Sequence, residues 1–114
     1  MITKEQAEII SCLPHYERHI RQSLVPDYMW YTIAEYLLRG RLEGDFLTAV
    51  LTFDLLRIFQ RADNTNIHRI KDYALLLYNV FPPESYGSKE NVKAWCEGGG
   101  LYGLYAVKRE ETTQ

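Results

Sequence analysis

Basic and amide side chains crowd one stretch of this chain, Arg61-Ala62-Asp63-Asn64-Thr65-Asn66-Ile67-His68-Arg69. At a junction between two helices such residues can do one of two things. Asp63, Asn64 and Asn66 can each satisfy free helical amides as caps. A helix N-terminus flanked by Arg61, His68 and Arg69 is also a ready anion site, because its amides and dipole favour negative charge. One turn upstream, Arg57 joins Arg61 to make a guanidinium pair suited to phosphate oxygens. With Asp54, the same arginines read more simply as a structural ion-pair ladder. Further on, Tyr86-Gly87-Ser88-Lys89 could stack a ring on a base and turn the Ser88 amide to an anion, or Ser88 could simply cap a helix. The candidate ligand-binding set is Arg57, Arg61, Asn64, Asn66, His68, Arg69, Tyr86 and Ser88.

Other reactive residues lead nowhere so definite. Cys12, His15 and His19 fall on one face of an unbroken helix and could hold Zn²⁺, but a full site wants a fourth ligand and Pro14 interrupts the spacing. The bland alternative is two surface histidines and a half-buried cysteine, and neither a metal nor any other cofactor is expected. There is no GxxxxGK[ST], GxSxG or CxxC, and GGGLYG does not sit where a dinucleotide fingerprint must. No enzyme is expected.

The elements that must position these residues are helical. Thr3 with Gln6 reads as a capping box for a helix from about Lys4 to Cys12, and a second runs from Pro14 to about Ser23 unless the two merge as one kinked unit. Pro26 opens a third, with Tyr28, Met29, Trp30, Ile33, Ala34, Leu37 and Leu38 as its stripe and Gly40 at its end. Gly44 to Asp63, GDFLTAVLTFDLLRIFQRAD, is apolar all round, which predicts a central buried helix at about 45–60 with Asp45 as N-cap. Ile67, Ile70, Ala74, Leu77 and Phe81 mark the next helix, stopped by Pro82-Pro83. Ser88 caps a last one, with Val92, Trp95 and Cys96 turned inward, before Gly98-Gly99-Gly100. The chain thus reads as all-α: a compact bundle of five or six short helices, a single helical domain over 1–100. A Tyr-containing C-terminal tail follows over 101–114, with a weak strand at Leu101 to Val107 as the one alternative.

At 114 residues, 46% hydrophobic and 25% charged, the chain can bury a core without staples. A net charge of −2 supplies no global pull toward nucleic acid, so that partner is disfavoured. The two cysteines imply no secreted disulfide framework. MITKEQAEII reads as a charged helix start rather than a signal peptide, and no apolar run reaches the length of a membrane span. A soluble intracellular protein is expected. Nine tyrosines and two tryptophans are many for so short a chain. Tyr28, Trp30, Tyr31 and Tyr36 exceed what one helical stripe can bury, which points to a homo-oligomer or host-protein contact, or to tyrosines that rim a small core with their hydroxyls in water.

From Gly44 to Gly100 the chain resembles a family of short, mostly uncharacterised proteins of tailed phages and prophages. The matching residues are GDFLTAVL, Asp54-Leu55, Arg61-Ala62-Asp63, Asn66, Leu77-Tyr78-Asn79, Pro82, Gly87-Ser88, Val92 and Ala94-Trp95, with the glycines after Glu97. Glu43, Phe53 and Tyr86 depart from the family pattern, which has proline, asparagine and tryptophan there. The resemblance implies a phage accessory gene acting in the host cytoplasm. Its product would bind a host protein or sequester a small nucleotide-type ligand used as a defence signal. The alternative is a self-assembling structural or regulatory phage protein with no small-molecule ligand.

Overall fold

The computed structural model describes residues 15–104, together with Lys4. The capping box of Thr3 and Gln6, the first expected helix beyond Lys4, Cys12, Pro14 and the tail from residue 105 lie outside the described residues. Within them the protein is an all-α bundle with no strand. Residues 15–22 are helical, and a 3-10 turn at Asp27–Met29 leads into α1, Trp30–Arg39. There follow α2, Asp45–Thr52, and α3, Leu55–Arg61. A 3-10 turn at Asn66–Arg69 runs into α4, Ile70–Val80, and another at Pro83–Ser85 precedes α5, Lys89–Gly98.

The stretch expected to be one buried helix over about 45–60 is two helices, and only the first is central. Five residues of α2, Phe46, Leu47, Ala49, Val50 and Leu51, are buried. Phe53 then enters the left-handed region at φ 60°. The amide of Phe53 donates to the Val50 carbonyl and that of Asp54 to the Ala49 carbonyl, the pair of bonds that closes a Schellman-type helix end. Glycine normally takes that position because a side chain is strained there. Asp54 restarts the chain as N-cap of α3, its carboxylate accepting from the Arg57 amide. The N-cap of α2 is likewise Gly44 rather than Asp45, which opens the first turn as a favourable acid.

The core gathers Ile33, Tyr36 and Leu37 of α1, the buried face of α2, Tyr73, Leu76 and Leu77 of α4, and Val92 and Trp95 of α5. Buried tyrosine and tryptophan need partners for their polar atoms. The Tyr36 hydroxyl donates to the Ser85 carbonyl at 2.6 Å, and the Trp95 indole donates to the Tyr36 carbonyl at 3.0 Å. Tyr36 thereby ties α1 to the 83–85 turn and to α5. Phe46 and Tyr73 meet edge to face at 5.2 Å. Burial and the neighbouring Cys96 push the Tyr36 phenol well above its ordinary range, and burial does the same to Tyr73.

Two details depart from the periodicity. The fourth helix turns its Tyr73, Leu76 and Leu77 side to the core, so Tyr73 and Leu76 are buried while Ile67 and Ala74 are exposed. Residues 100–104 are helical, where a strand was the alternative, and Leu101 is buried. They can follow α5 directly because its C-terminus lies against the end of α1 with no side chain between. A Cβ on Gly100 would stand 2.6 Å from the Gly40 nitrogen.

Candidate functional site

The polar turn after α3 is built around Asp63. Its carboxylate accepts from the amides of Thr65 at 3.0 Å and Asn66 at 2.6 Å, and from the hydroxyl of Tyr28. The Asn66 amide, then the Tyr28 hydroxyl, hold this carboxyl below its usual range. The Asp63 carboxylate raises the Tyr28 phenol in turn. Asn66 is buried, and its side-chain oxygen accepts from the Tyr73 hydroxyl at 2.6 Å. The amides that could have met an external anion are thus taken by an internal carboxylate. Asn64 and His68 are exposed.

Each arginine of the candidate set faces an acid on its own surface. Arg57 approaches Asp54 at 3.7 Å, Arg61 approaches Asp45 at 3.9 Å, and Arg69 approaches Asp72 at 3.7 Å. The Asp54–Arg57 half of the expected ladder is present, while Arg61 turns to α2. Pairs as long and exposed as these contribute little to stability and can exchange partners. Ser88 caps α5, its hydroxyl accepting from the Asn91 amide at 3.0 Å. The Tyr86 ring lies 6.0 Å from that of Phe53 between centroids, tilted by 57°.

The candidate residues do not converge. Arg61 and Asn66 share a cleft of about 490 Å³ with Asp45 and Asp63, a lining that repels anions. Arg57 lines a different cleft, of about 470 Å³, with Lys89, Lys93 and the half-buried Cys96, and with Asp45, Asp54 and Glu97 balancing its charge. His68 and Arg69 line neither. Of the amino-terminal histidines, His15 and His19 pack edge to face at 4.4 Å. Among the described residues no group of three or more metal-ligating side chains comes together, and no helix is long and apolar enough to cross a membrane.

What the structure adds is an apolar face on α3. Phe53 is 60%, Leu55 64%, Leu56 77% and Phe59 52% exposed, while Ile58 is the buried contact of this helix with the core. At about 100° per residue, Leu55, Phe59 and Leu56 span one arc of roughly 100°, with Gln60, Arg57 and Arg61 continuing round the helix. An arc of that width is what a helix ordinarily turns to a core. Here it points outward. The signal in the sequence was the all-round apolar pattern of residues 44–63, which resolves into two amphipathic helices once Asp54 is taken as an N-cap.

The tyrosine surplus divides between inside and outside. Tyr36 and Tyr73 are core residues, whereas Tyr28, Tyr31 and Tyr78 are exposed. Trp30 is half-buried, its indole donating to the Val25 carbonyl at 3.1 Å and its ring covered by the Arg21 guanidinium at 5.8 Å. Beside it, between α1 and the helical run 15–22, lies an apolar groove of about 440 Å³ floored by Ile20 and Leu37 and walled by Trp30, Tyr31 and Leu38. No protein-family model, curated protein or solved structure matches the chain.

Proposed function

We propose that this chain is a small accessory binding protein that acts stoichiometrically, by protein–protein contact, through the outward face of α3. The observation that carries this reading is the exposure of Phe53, Leu55, Leu56 and Phe59 within one short segment. Fully burying each such side chain is worth about 1.5–3 kcal/mol, and large apolar clusters left in water mark interaction sites. The phage-family pattern from GDFLTAVL to Ala94-Trp95 supports an accessory role in a bacterial host cell, with a host defence component as the target class. No turnover is part of the proposal.

Native mass spectrometry of the tagged protein from infected and uninfected bacteria tests it. A protein should co-purify with the wild type and be lost with Leu56→Glu, while circular dichroism of the variant stays unchanged. If Leu56→Glu has no effect on any bound species, the assignment of this face fails.

A second reading, sequestration of a small nucleotide-type ligand, would use the cleft of Arg57, Lys89 and Lys93, where Asp45, Asp54 and Glu97 match their charge. It predicts a co-purifying mass of nucleotide size that disappears with Lys89→Glu and survives Leu56→Glu. Arg61, Asn66, His68 and Arg69 have no part in that cleft.

A further inference from the structure

Away from the α3 face, the helical run 15–22 carries two histidines four residues apart. On a helix, residues at that spacing stand one above the other on the same face. The His15 and His19 rings accordingly meet, with centroids 4.4 Å apart and planes at 71°. His15 is exposed and His19 half-buried. Neither imidazole has a hydrogen-bond or ion-pair partner among the described residues. The carboxylate between them in sequence, Glu17, is turned to Arg21 at 2.7 Å. We infer that His15 and His19 form a bidentate site for a divalent transition-metal ion of the zinc, nickel or copper type, with water in its remaining positions.

The ring spacing fits one shared ion. A zinc-bound imidazole nitrogen lies about 2.0–2.1 Å from the metal, which puts the ring centroid about 3.2 Å away. Two such rings at about 90–110° around the ion have centroids about 4.5–5.2 Å apart. The observed 4.4 Å falls at the near edge of that range, so the backbone already holds the spacing. Only the rings must turn, and the second side-chain torsion of histidine has broad wells. Imidazole nitrogen selects zinc, nickel and copper, whereas magnesium and calcium take oxygen ligands. Structural zinc sites use four protein ligands. A two-ligand chelate is therefore an exchangeable site, and the fold does not depend on its being filled.

Isothermal titration calorimetry of the tag-free full chain with zinc chloride tests the inference, with circular dichroism as the check on folding. The wild type should take up one zinc ion per chain and show no binding of magnesium. His15→Ala and His19→Ala should each weaken zinc binding at least about tenfold, because one imidazole cannot chelate. His68→Ala, which removes an exposed histidine elsewhere, and Cys12→Ser should both keep the wild-type affinity. The double variant Glu17→His with His19→Ala keeps the number of histidines but sets the second ring on the far side of the helix, and it should bind as weakly as His19→Ala. Wild-type affinity in either single histidine variant, or recovery in the double variant, would overturn the chelate. Loss of binding in Cys12→Ser with both histidines intact would overturn it as well, and so would a wild type that binds no zinc.

Discussion

The side-chain oxygen of Asn66 accepts from the Tyr73 hydroxyl, and both residues are shut away from water. In the sequence Asn66 looks like a surface polar residue in a basic turn, because residue type says nothing of which way a side chain turns. Its structural role makes a definite prediction. Asn66→Ala strands a buried hydroxyl and should cost about 1–3 kcal/mol, read by urea unfolding. Tyr73→Phe should cost a similar amount, and the double variant less than both together. An unchanged unfolding midpoint would return Asn66 to the list of ligand contacts. Asp63, by contrast, was legible as a cap, since a carboxylate two and three residues ahead of free amides is what a turn needs. Its folded pKa is depressed, so its contribution is present above the ordinary value of 3.8 and is lost as pH falls through the folded value. Asp63→Asn can still accept from the turn amides but cannot titrate. The acid limb of stability below about pH 4 should flatten in that variant, and an unaltered limb would show that other carboxylates set it.

At the scale of elements, hydrophobic periodicity was enough for the helices and not for where one of them breaks. Pro26, Gly40, Pro82 and Ser88 mark their boundaries by backbone chemistry visible in the residue type. The break at Phe53 is not visible in that way, because phenylalanine is among the residues least suited to the left-handed region. It holds because Ala49 and Val50 accept the Phe53 and Asp54 amides and Asp54 caps the following turn. Phe53→Gly should therefore relieve about 1 kcal/mol of backbone strain at a position that buries little surface, raising the melting temperature. A lower melting temperature would mean that the contact of Phe53 with Tyr86 outweighs the strain. The opposite sign is expected at Gly100, where the backbone also has positive φ and an added Cβ would meet the backbone of Gly40 and Arg39. Gly100→Ala should destabilise by more than about 2 kcal/mol, combining strain with separation of α1 from α5. The mutual approach of Gly40 and Gly100 joins residues far apart in the chain, and no local pattern announces such a contact.

For the molecule as a whole, the all-α class follows from helical spacing alone, whereas the functional surface depends on which apolar residues the core leaves out. α3 shows the difference. Four of its seven residues are large and apolar, yet burial goes to Ile58 while Leu55, Leu56 and Phe59 stay outside. An isolated chain gains nothing from those exposed side chains, so in a strictly monomeric protein Leu56→Glu should leave thermal stability unchanged within about 0.5 kcal/mol. A partner that binds only the folded state changes this, because mass action adds its binding free energy to the stability of the fold. If two copies pair, the melting temperature of the wild type should rise with protein concentration. At high dilution it should converge on that of Leu56→Glu, whose own melting temperature should not depend on concentration. Differential scanning calorimetry over a hundredfold range of concentration separates the cases. A concentration-dependent wild type beside a concentration-independent variant places the linkage on this face. If both are independent of concentration, this face does not pair two copies, and if both depend on it equally, pairing uses a surface that does not include α3.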